Sequence, residues 1–243
     1  MICAIMQPTY IPWVGYFDMI DKVDLFVFYD DVQLTKRSWQ TRNRLRNVSN
    51  EFWLTLPIKK TSSRDNLLIK DAVLNNNEKW KKKHLVTISN CYSKSEYFDE
   101  LYSLIEPIYN QSEMLSQLNI GLIKMICERL NIHTKLIKSS SLYGIEGVKD
   151  HRLVSICKNI QINHYLSPQG SAKYINRQNI GGDFLNQNIK LFYHDFEHPL
   201  YKQVDNNFIP YLGIFDLIFN SGFDEALKKI RFGRKPNLNY DFL

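Results

Sequence analysis

The sequence predicts an α/β fold with an N-terminal parallel sheet, and three observations lead to that class. Two apolar runs, residues 2–6 and 24–29, flank a short helical stretch, which is the βαβ pattern of an open parallel sheet. Helical periodicity then dominates the middle of the chain, and short apolar runs return in its last third. Of the 243 residues, 44% are hydrophobic and 23% charged, as in ordinary globular proteins. We therefore expect one compact domain over residues 1–243. Its sub-regions are α/β in 1–75, a helical middle layer in 76–160 and α/β again in 161–243.

The N-terminal sub-region is predicted to be rich in strands. Residues 13–20 form the helix between the first two strands. Five basic residues and no acid occur in residues 36–46, and this run leads through a turn-like stretch at 47–50 into residues 51–57. The two runs predict a hairpin or a pair of adjacent strands. The next segments are a polar loop at 59–66 and a further strand at 67–74.

Helices dominate the remainder of the chain, with short strands between them. The predicted helices cover 78–91, 101–108 with Pro107 at a kink or an end, 115–130, 149–159, 208–220 and 223–230. The predicted strands cover 135–138, 163–166 and 189–193, and a polar, basic tail closes the chain. This alternation favours an α/β architecture.

Composition and charge narrow the class of protein. Lys and Arg number 31 and Asp and Glu 25, and the resulting net charge of +6 suits a phosphate-bearing small molecule or an anionic surface without requiring nucleic acid. The four cysteines lack C-x-x-C spacing, which indicates free thiols in a reducing compartment. No apolar run reaches the length of a membrane span. The first apolar run has no basic residues before it and ends at Gln7-Pro8, which indicates a strand and not a signal peptide. We expect a cytoplasmic protein.

Common cofactor and hydrolase motifs are absent from the sequence. It contains no P-loop, no G-x-G-x-x-G after the first strand, no G-x-S-x-G and no H-E-x-x-H. The loop after the first strand is similar to that of nucleotidyltransferase-type and Rossmann-like folds, with Gly15 near the start of a helix. Trp13 and Tyr16 stand where such enzymes carry paired histidines, which disfavours nucleotidyl transfer by that mechanism and leaves a nucleotide-binding crevice open.

Polar and aromatic residues follow both N-terminal strands, where a parallel sheet places its ligand. One cleft is expected to be lined by Gln7, Tyr10, Tyr16, Asp30, Asp31 and Arg42. The acidic pair either serves catalysis or ligand binding, or it caps the strand and its turn. The basic run either is a solvated strand face or supplies phosphate ligands, and Arg42 is the best such candidate because a guanidinium binds phosphate bidentately. Tryptophans such as Trp39 either pack in the core or stack on bases and sugars.

Two histidines are candidate general bases. His84 follows three lysines, whose positive charge lowers its pKa and favours the neutral imidazole that a base requires. His198 precedes Pro199, which keeps its backbone extended. Tyr201 and Gln203 lie two residues apart on that extended segment, so they can share one face. Structural packing is the competing interpretation for both histidines.

The order and identity of these residues resemble the WbqC-like protein family. The N-terminal match consists of Met6-Gln7-Pro8-Thr9-Tyr10, Gly15-Tyr16-Phe17, Asp24, Phe28-Tyr29-Asp30-Asp31-Val32-Gln33, Lys36, Ser38-Trp39 and Arg42-Asn43. The later match consists of Trp80, Lys83-His84, Tyr92, Tyr97-Phe98, Asn119, Tyr165-Leu166-Ser167, Gly170, Tyr174, His198-Pro199-Leu200-Tyr201, Gln203, Asp216, Phe219-Asn220 and Gly222. The sequence departs from the family pattern at Gly213, where a serine is expected, so a role for that hydroxyl is in doubt.

The resemblance implies a protein encoded among the bacterial genes for O-antigen and capsule synthesis. We expect a transferase of cell-surface polysaccharide biosynthesis that N-acylates or N-aminoacylates a nucleotide-linked deoxyamino sugar. The acyl donor would be acyl-CoA, a carrier protein or an aminoacyl donor. The alternatives are a metal-dependent nucleotidyl or glycosyl transferase and a non-catalytic sugar-nucleotide-binding subunit. Nucleic acid is not expected as the primary ligand, and a homo-oligomer is compatible with the aromatic content.

The expected catalytic residues are His198, His84, Asp30 and Asp31, with no resident metal in the acyl-transfer hypothesis. In the metal-dependent alternative the acidic pair holds the ion. The expected substrate-binding residues are Gln7, Tyr10, Tyr16, Gln33, Lys36, Trp39, Arg42, Asn43, Tyr201 and Gln203.

Overall fold

The protein is a mixed α/β structure, seen here in a computed structural model that describes residues 1–47, 50–60, 66–177, 179–205 and 207–242. Its strands are β1 (Ile2–Met6), β2 (Leu25–Phe28), β3 (Arg42–Arg46), β4 (Glu51–Thr55), β5 (Lys135–Lys138), β6 (His164–Pro168), β7 (Lys190–His194) and β8 (Leu238–Asn239). Its helices are α1 (Val14–Asp21), α2 (Trp80–Tyr92), α3 (Phe98–Gln111), α4 (Leu115–Arg129), α5 (Lys149–Asn159), α6 (Ala172–Ile175), α7 (Gly182–Asn186) and α8 (Ile214–Phe232). The predicted α/β class is confirmed.

A six-stranded sheet forms the centre, in the order β5-β2-β1-β6-β7-β8. The first five strands of this order, β5, β2, β1, β6 and β7, pair in parallel, and β8 pairs antiparallel with β7. The chain runs from β1 outward through β2 to β5, and it then returns to β6 on the other side of β1. The carboxyl ends of β1 and β6 therefore flank the point where the winding reverses, which is where open α/β sheets bind ligands.

Both faces of the sheet are covered, which explains the continuous apolar runs of the central strands. Phe26 and Phe28 of β2 face a core that includes residues of α1, α4 and α8. Leu25 and Val27 face the opposite core, with residues of α5 and α7 such as Phe184. This alternation fixes the register, because a slip of one residue would exchange the two faces.

The hairpin is confirmed as β3 and β4, which pair antiparallel as a separate two-stranded sheet. Residues 48–49 of its predicted turn and 61–65 of the predicted polar loop lie outside the described residues. Pro107, predicted to mark a kink or an end, lies inside α3. Among the described residues, no helix combines the length and apolarity needed to cross a membrane.

Three segments differ from the predicted elements. The strand predicted at 67–74 is wrong: a short 3₁₀ turn at Ile69–Asp71 and isolated bridges replace it, because its apolar side chains anchor a loop to the core one by one. The helix predicted from residue 208 begins only at Ile214, since Tyr211 has a φ of 60°, outside the helical region. Gly222, with a φ of 72°, interrupts α8 where the two predicted helices meet. The predicted polar tail contains strand β8, which pairs antiparallel with β7.

Candidate functional site

A cleft of about 410 Å³ opens beside the carboxyl end of β1. It is formed by the loop after β1, the first turn of α1, strand β3 with the residues before it, and the segment that precedes α8. The lining residues are Met6, Thr9, Trp13, Tyr16, Trp39, Asn43, Arg44 and Tyr211. Aromatic rings dominate these walls, and few polar groups are present. That combination is typical of sites for small molecules.

Asn43 of β3 holds the loop that follows β1. Its amide nitrogen donates to the carbonyl oxygens of Tyr10 (3.1 Å) and Ile11 (2.7 Å), and its side-chain oxygen accepts from the backbone N–H of Arg44 (2.7 Å). Ile11 has a φ of 45°, a left-handed conformation that is rare for a β-branched residue. Such strain costs about 1–3 kcal/mol and persists only where surrounding contacts impose it, most often at functional sites.

Two glycines allow the walls of the cleft to approach each other closely. A Cβ on Gly15 would overlap the indole of Trp13, so the glycine lets this ring lie against the start of α1. A Cβ on Gly213 would lie 2.7 Å from Cγ2 and 2.8 Å from the carbonyl oxygen of Ile11. In this chain position 213 is therefore a contact between two loops, and a serine there would displace Ile11.

A stack of aromatic and cationic groups continues from the rim of the cleft. The rings of Trp39 and Trp53 lie 5.3 Å apart, and the guanidinium carbon of Arg42 lies 4.2 Å from the centre of the Trp53 ring. Trp39 is 49% exposed and Trp53 44% exposed, so the stack faces solvent. No described carboxylate pairs with Arg42, and its Nε is buried without a partner among the described residues. This arginine is available to bind an anion.

The acidic pair after β2 lies outside this cleft, beside the turn that follows β5. The buried carboxylate of Asp30 accepts from Ser140 N (3.0 Å) and Ser140 Oγ (2.8 Å), and Ser139 Oγ lies 3.3 Å from it. The carboxylate of Asp31 accepts from Arg152 Nη2 (2.6 Å) and from Ser139 Oγ. All four carboxylate oxygens thus have protein partners. Within the described part of the chain, no cluster of three or more His, Cys, Asp and Glu is placed to hold a metal.

His84 belongs to a buried chain of hydrogen bonds. Its Nε2 lies 3.1 Å from the carbonyl oxygen of Thr55, which can only accept, so Nε2 carries the proton. Its Nδ1 accepts from the hydroxyl of Tyr10 at 3.0 Å, and that hydroxyl also bonds to Tyr109. The predicted lowering of the pKa is confirmed, to about 4, but burial is the main cause and Lys83 adds only a smaller contribution. Both ring nitrogens are occupied.

His198 has one free nitrogen. Its Nδ1 donates to the carbonyl oxygen of Pro199 at 3.0 Å, which leaves the lone pair on Nε2. That Nε2 is buried and has no hydrogen-bond partner among the described residues. Burial also lowers the pKa of His198, so the ring is neutral at neutral pH. Its nearest ring contact is Tyr211, at 5.0 Å, and Tyr211 lines the cleft.

Tyr201 and Gln203 do share one face, as predicted, and both bond to the buried carboxylate of Asp216. Tyr201 Oη donates at 2.9 Å and Gln203 Nε2 at 2.8 Å. Arg46, also buried, donates from Nη1 to Gln203 Oε1 at 2.6 Å. Burial raises the pKa of Asp216. These contacts fasten the segment that carries His198 to β3 and α8.

The expectation of a single cleft is therefore only partly met. Of the predicted site residues, Tyr16, Trp39 and Asn43 line the cleft. Gln7, next to Met6, is half-buried and accepts from Gln40. Gln33 and Lys36 are exposed, and Tyr10 lies in the core with His84. Their substrate-binding roles stay predictions.

Several residues that shape the cleft were not predicted from the sequence. Trp13 and Tyr211 each lie two residues before a glycine, Gly15 and Gly213, and an aromatic residue near a glycine was the available signal. A second omission is the buried carboxylate of Asp18, which accepts from His194 Nε2 (2.7 Å) and Arg234 Nε (2.7 Å) and ties α1 to β7 and the C-terminal segment. Only the fold joins these three residues, which are far apart in the sequence.

Comparison with known proteins gives one family and one close relative. The model of the WbqC-like protein family matches residues 7–228. A protein of Mycobacterium tuberculosis (strain ATCC 25618 / H37Rv), Rv1507c, is 34% identical over 235 residues, which is 96% of this chain and 98% of that protein. That relative is described as uncharacterized. No solved structure matches the chain.

Proposed function

Because the chain belongs to the WbqC-like protein family, we propose that its aromatic cleft binds a nucleotide-activated deoxyamino sugar and that it is a transferase of cell-surface polysaccharide biosynthesis. The observation that carries the proposal is the cleft at the carboxyl end of β1, with the Trp39–Trp53–Arg42 stack at its rim. Such a protein would work in the cytoplasm, where nucleotide sugars are made.

The chemistry of the cleft suits each part of this ligand. Aromatic faces such as Trp13 and Tyr211 stack on the apolar face of a sugar ring. The guanidinium of Arg42 offers charge-assisted hydrogen bonds to a diphosphate. Counted along the sheet, the strand order is 3-2-1-4-5-6, which is the order of the Rossmann-like nucleotide-binding folds. A volume of about 410 Å³ is in the range of small-molecule sites.

The proposed reaction is N-acylation or N-aminoacylation of the sugar amine. The amine nitrogen attacks the carbonyl carbon of a thioester or ester donor while His198 Nε2 takes its proton. A C–N bond forms, the C–S or C–O bond of the donor breaks, and the leaving group takes the proton back. His198 suits the base role better than His84, because its Nε2 lone pair is unpartnered whereas both nitrogens of His84 are bonded. Gln7 is the candidate to stabilise the oxyanion, since the Asn43 amide already donates to two carbonyls.

A non-catalytic sugar-nucleotide-binding subunit is the second candidate. The observation in its favour is that neither His84 nor His198 lines the cleft. The metal-dependent alternative has less support, because Ser139, Ser140 and Arg152 already occupy the oxygens of the acidic pair.

Titration calorimetry with UDP-glucosamine tests the proposal. We expect Arg42→Ala to raise the Kd about 10- to 150-fold, the worth of a charge-assisted hydrogen bond, with little change in Tm. Arg37→Ala, an exposed arginine of the same basic run, is the matched control and should bind as the wild type does. The proposal fails if the wild-type chain binds no nucleotide sugar, or if Arg42→Ala loses stability while its affinity is unchanged. Binding without turnover of any acyl or aminoacyl donor would favour the binding subunit.

A further inference from the structure

Three rings pack against that of His198, those of Tyr211, Phe208 and Tyr201, and of these only Tyr211 lines the cleft. Tyr211 lines the cleft, and of the described cleft residues it is the one whose ring contacts His198, with centroids 5.0 Å apart. The same ring contacts that of Trp13, which also lines the cleft, at 5.7 Å between centroids. Tyr211 is nevertheless 50% exposed, so its outer face is not packed. The ring therefore stands between the cleft and the histidine without being locked into the core.

The backbone of Tyr211 is fixed although its ring is not. Arg44 Nη2 donates to the Tyr211 carbonyl at 3.2 Å, and two residues later the N–H of Gly213 donates to the Arg44 carbonyl at 3.0 Å. The φ of Tyr211 is 60°, in the left-handed region that a bulky residue seldom adopts. Held strain of this kind is concentrated at ligand clamps and switches. Half-exposed side chains change rotamer quickly, so the ring can move while the backbone stays in place.

The hydrogen bonding of His198 is incomplete. His198 Nε2 is buried, accepts no hydrogen bond from a described residue and cannot donate one, because Nδ1 holds the proton. Buried acceptors without a donor are rare in folded proteins. An N–H group of a ligand in the cleft would supply the missing donor once the ring moved aside.

We propose that Tyr211 is a gate residue: its ring restricts access to His198 Nε2 and moves aside to let an N–H-bearing ligand in the cleft reach that nitrogen. This inference rests on the proposed function for the role of His198 as a base. It adds that access to the base is controlled, so that the lone pair is kept from water until a ligand fills the cleft. Tyr211 is thus a positioning residue and not a catalytic one.

Accessibility of His198 can be measured without any substrate. Diethyl pyrocarbonate modifies unprotonated imidazole nitrogens, and peptide mass spectrometry gives a rate for each of the six histidines. Tyr211→Asn removes the ring while keeping a residue that tolerates left-handed backbone. We expect His198 to react at least about tenfold faster in this variant, equivalent to removing about 1.4 kcal/mol of opening free energy. Tyr211→Phe keeps the ring and should react as the wild type does.

His84 monitors the fold in the same experiment, because it is buried and bonded on both nitrogens. The gate is overturned if His198 reacts equally fast in the wild type and in Tyr211→Asn, or equally slowly in both. If His84 also becomes reactive in the asparagine variant, the fold has opened, and Tyr211→Gly decides by the same criterion. Because labelling needs no sugar or acyl donor, a failure of the proposed function leaves this readout intact.

Discussion

Two groups of polar residues lie at the same edge of the sheet, and they differ in how completely their hydrogen bonds are satisfied. After β2, every carboxylate oxygen of Asp30 and Asp31 has a protein partner, although Nε of the neighbouring Arg152 is buried without one among the described residues. Around the cleft after β1, Arg42 Nε and His198 Nε2 are buried without a partner among the described residues. Strained backbone also occurs on the cleft side, at Ile11 and Tyr211.

This difference separates polar groups that stabilise the fold from polar groups that can bind a ligand. A saturated carboxylate pair already stabilises the fold and would have to break those bonds to bind a ligand. An unpartnered buried group costs stability, and evolution retains it most readily where a ligand completes it. The same contrast applies to the two histidines, of which His84 is saturated and His198 is not.

The largest effect is expected at His198. If it is the base, His198→Gln should keep the fold and the affinity for UDP-glucosamine but lower turnover by about 10²–10⁴-fold, the usual loss when a general base is removed. Wild-type kcat/KM should rise with pH through an ionisation below the ordinary histidine value of about 6.5, because burial lowers the pKa. The matched variant His84→Gln should retain turnover. The assignment must be exchanged if His84→Gln alone loses activity, and histidine base catalysis is wrong if both variants stay active.

His84 should instead control stability at acid pH. Its folded pKa of about 4 lies below the unfolded value of about 6.5, so the unfolded chain binds the extra proton between these values. The contribution of His84 to the free energy of unfolding is complete above pH 6.5, and it falls by about 3 kcal/mol as the pH drops toward 4. Urea unfolding at a series of pH values should show a shallower loss for His84→Gln than for the wild type. Parallel curves for the two proteins would contradict a depressed pKa.

The smallest effect is expected at the saturated acidic pair, and it should be on stability alone. Asp30→Ala leaves the hydroxyl and the backbone N–H of Ser140 without their acceptor, whereas Ser139 keeps its hydrogen bond to Asp31. The change should lower the free energy of unfolding by about 1–3 kcal/mol. Affinity for UDP-glucosamine should stay unchanged. Denaturant unfolding and calorimetry on the same preparation check both points. A variant of normal stability that has lost a metal-dependent activity would favour the alternative transferase.

The local sequence determined the secondary-structure elements and the edge of the sheet at which the polar residues lie. Continuous apolar runs identified β1 and β2 as strands covered on both faces, and parallel strands bring their carboxyl ends to one edge. That reasoning correctly placed Gln7 and Asp30 at the same edge. Periodicity predicted α4 and α5 almost to the residue.

Only the tertiary structure decided which of the polar groups have hydrogen-bond partners within the protein. The partners of Asp30 lie 110 residues away at Ser140, and the carbonyl that Arg44 holds lies 167 residues away at Tyr211. Periodicity reports which face of an element is buried, but it carries no information about which donor meets which acceptor across the fold. His84 and His198 look equally available in the sequence, and they differ in the folded chain because Tyr10 and Thr55 reach one of them and no described donor reaches the free nitrogen of the other.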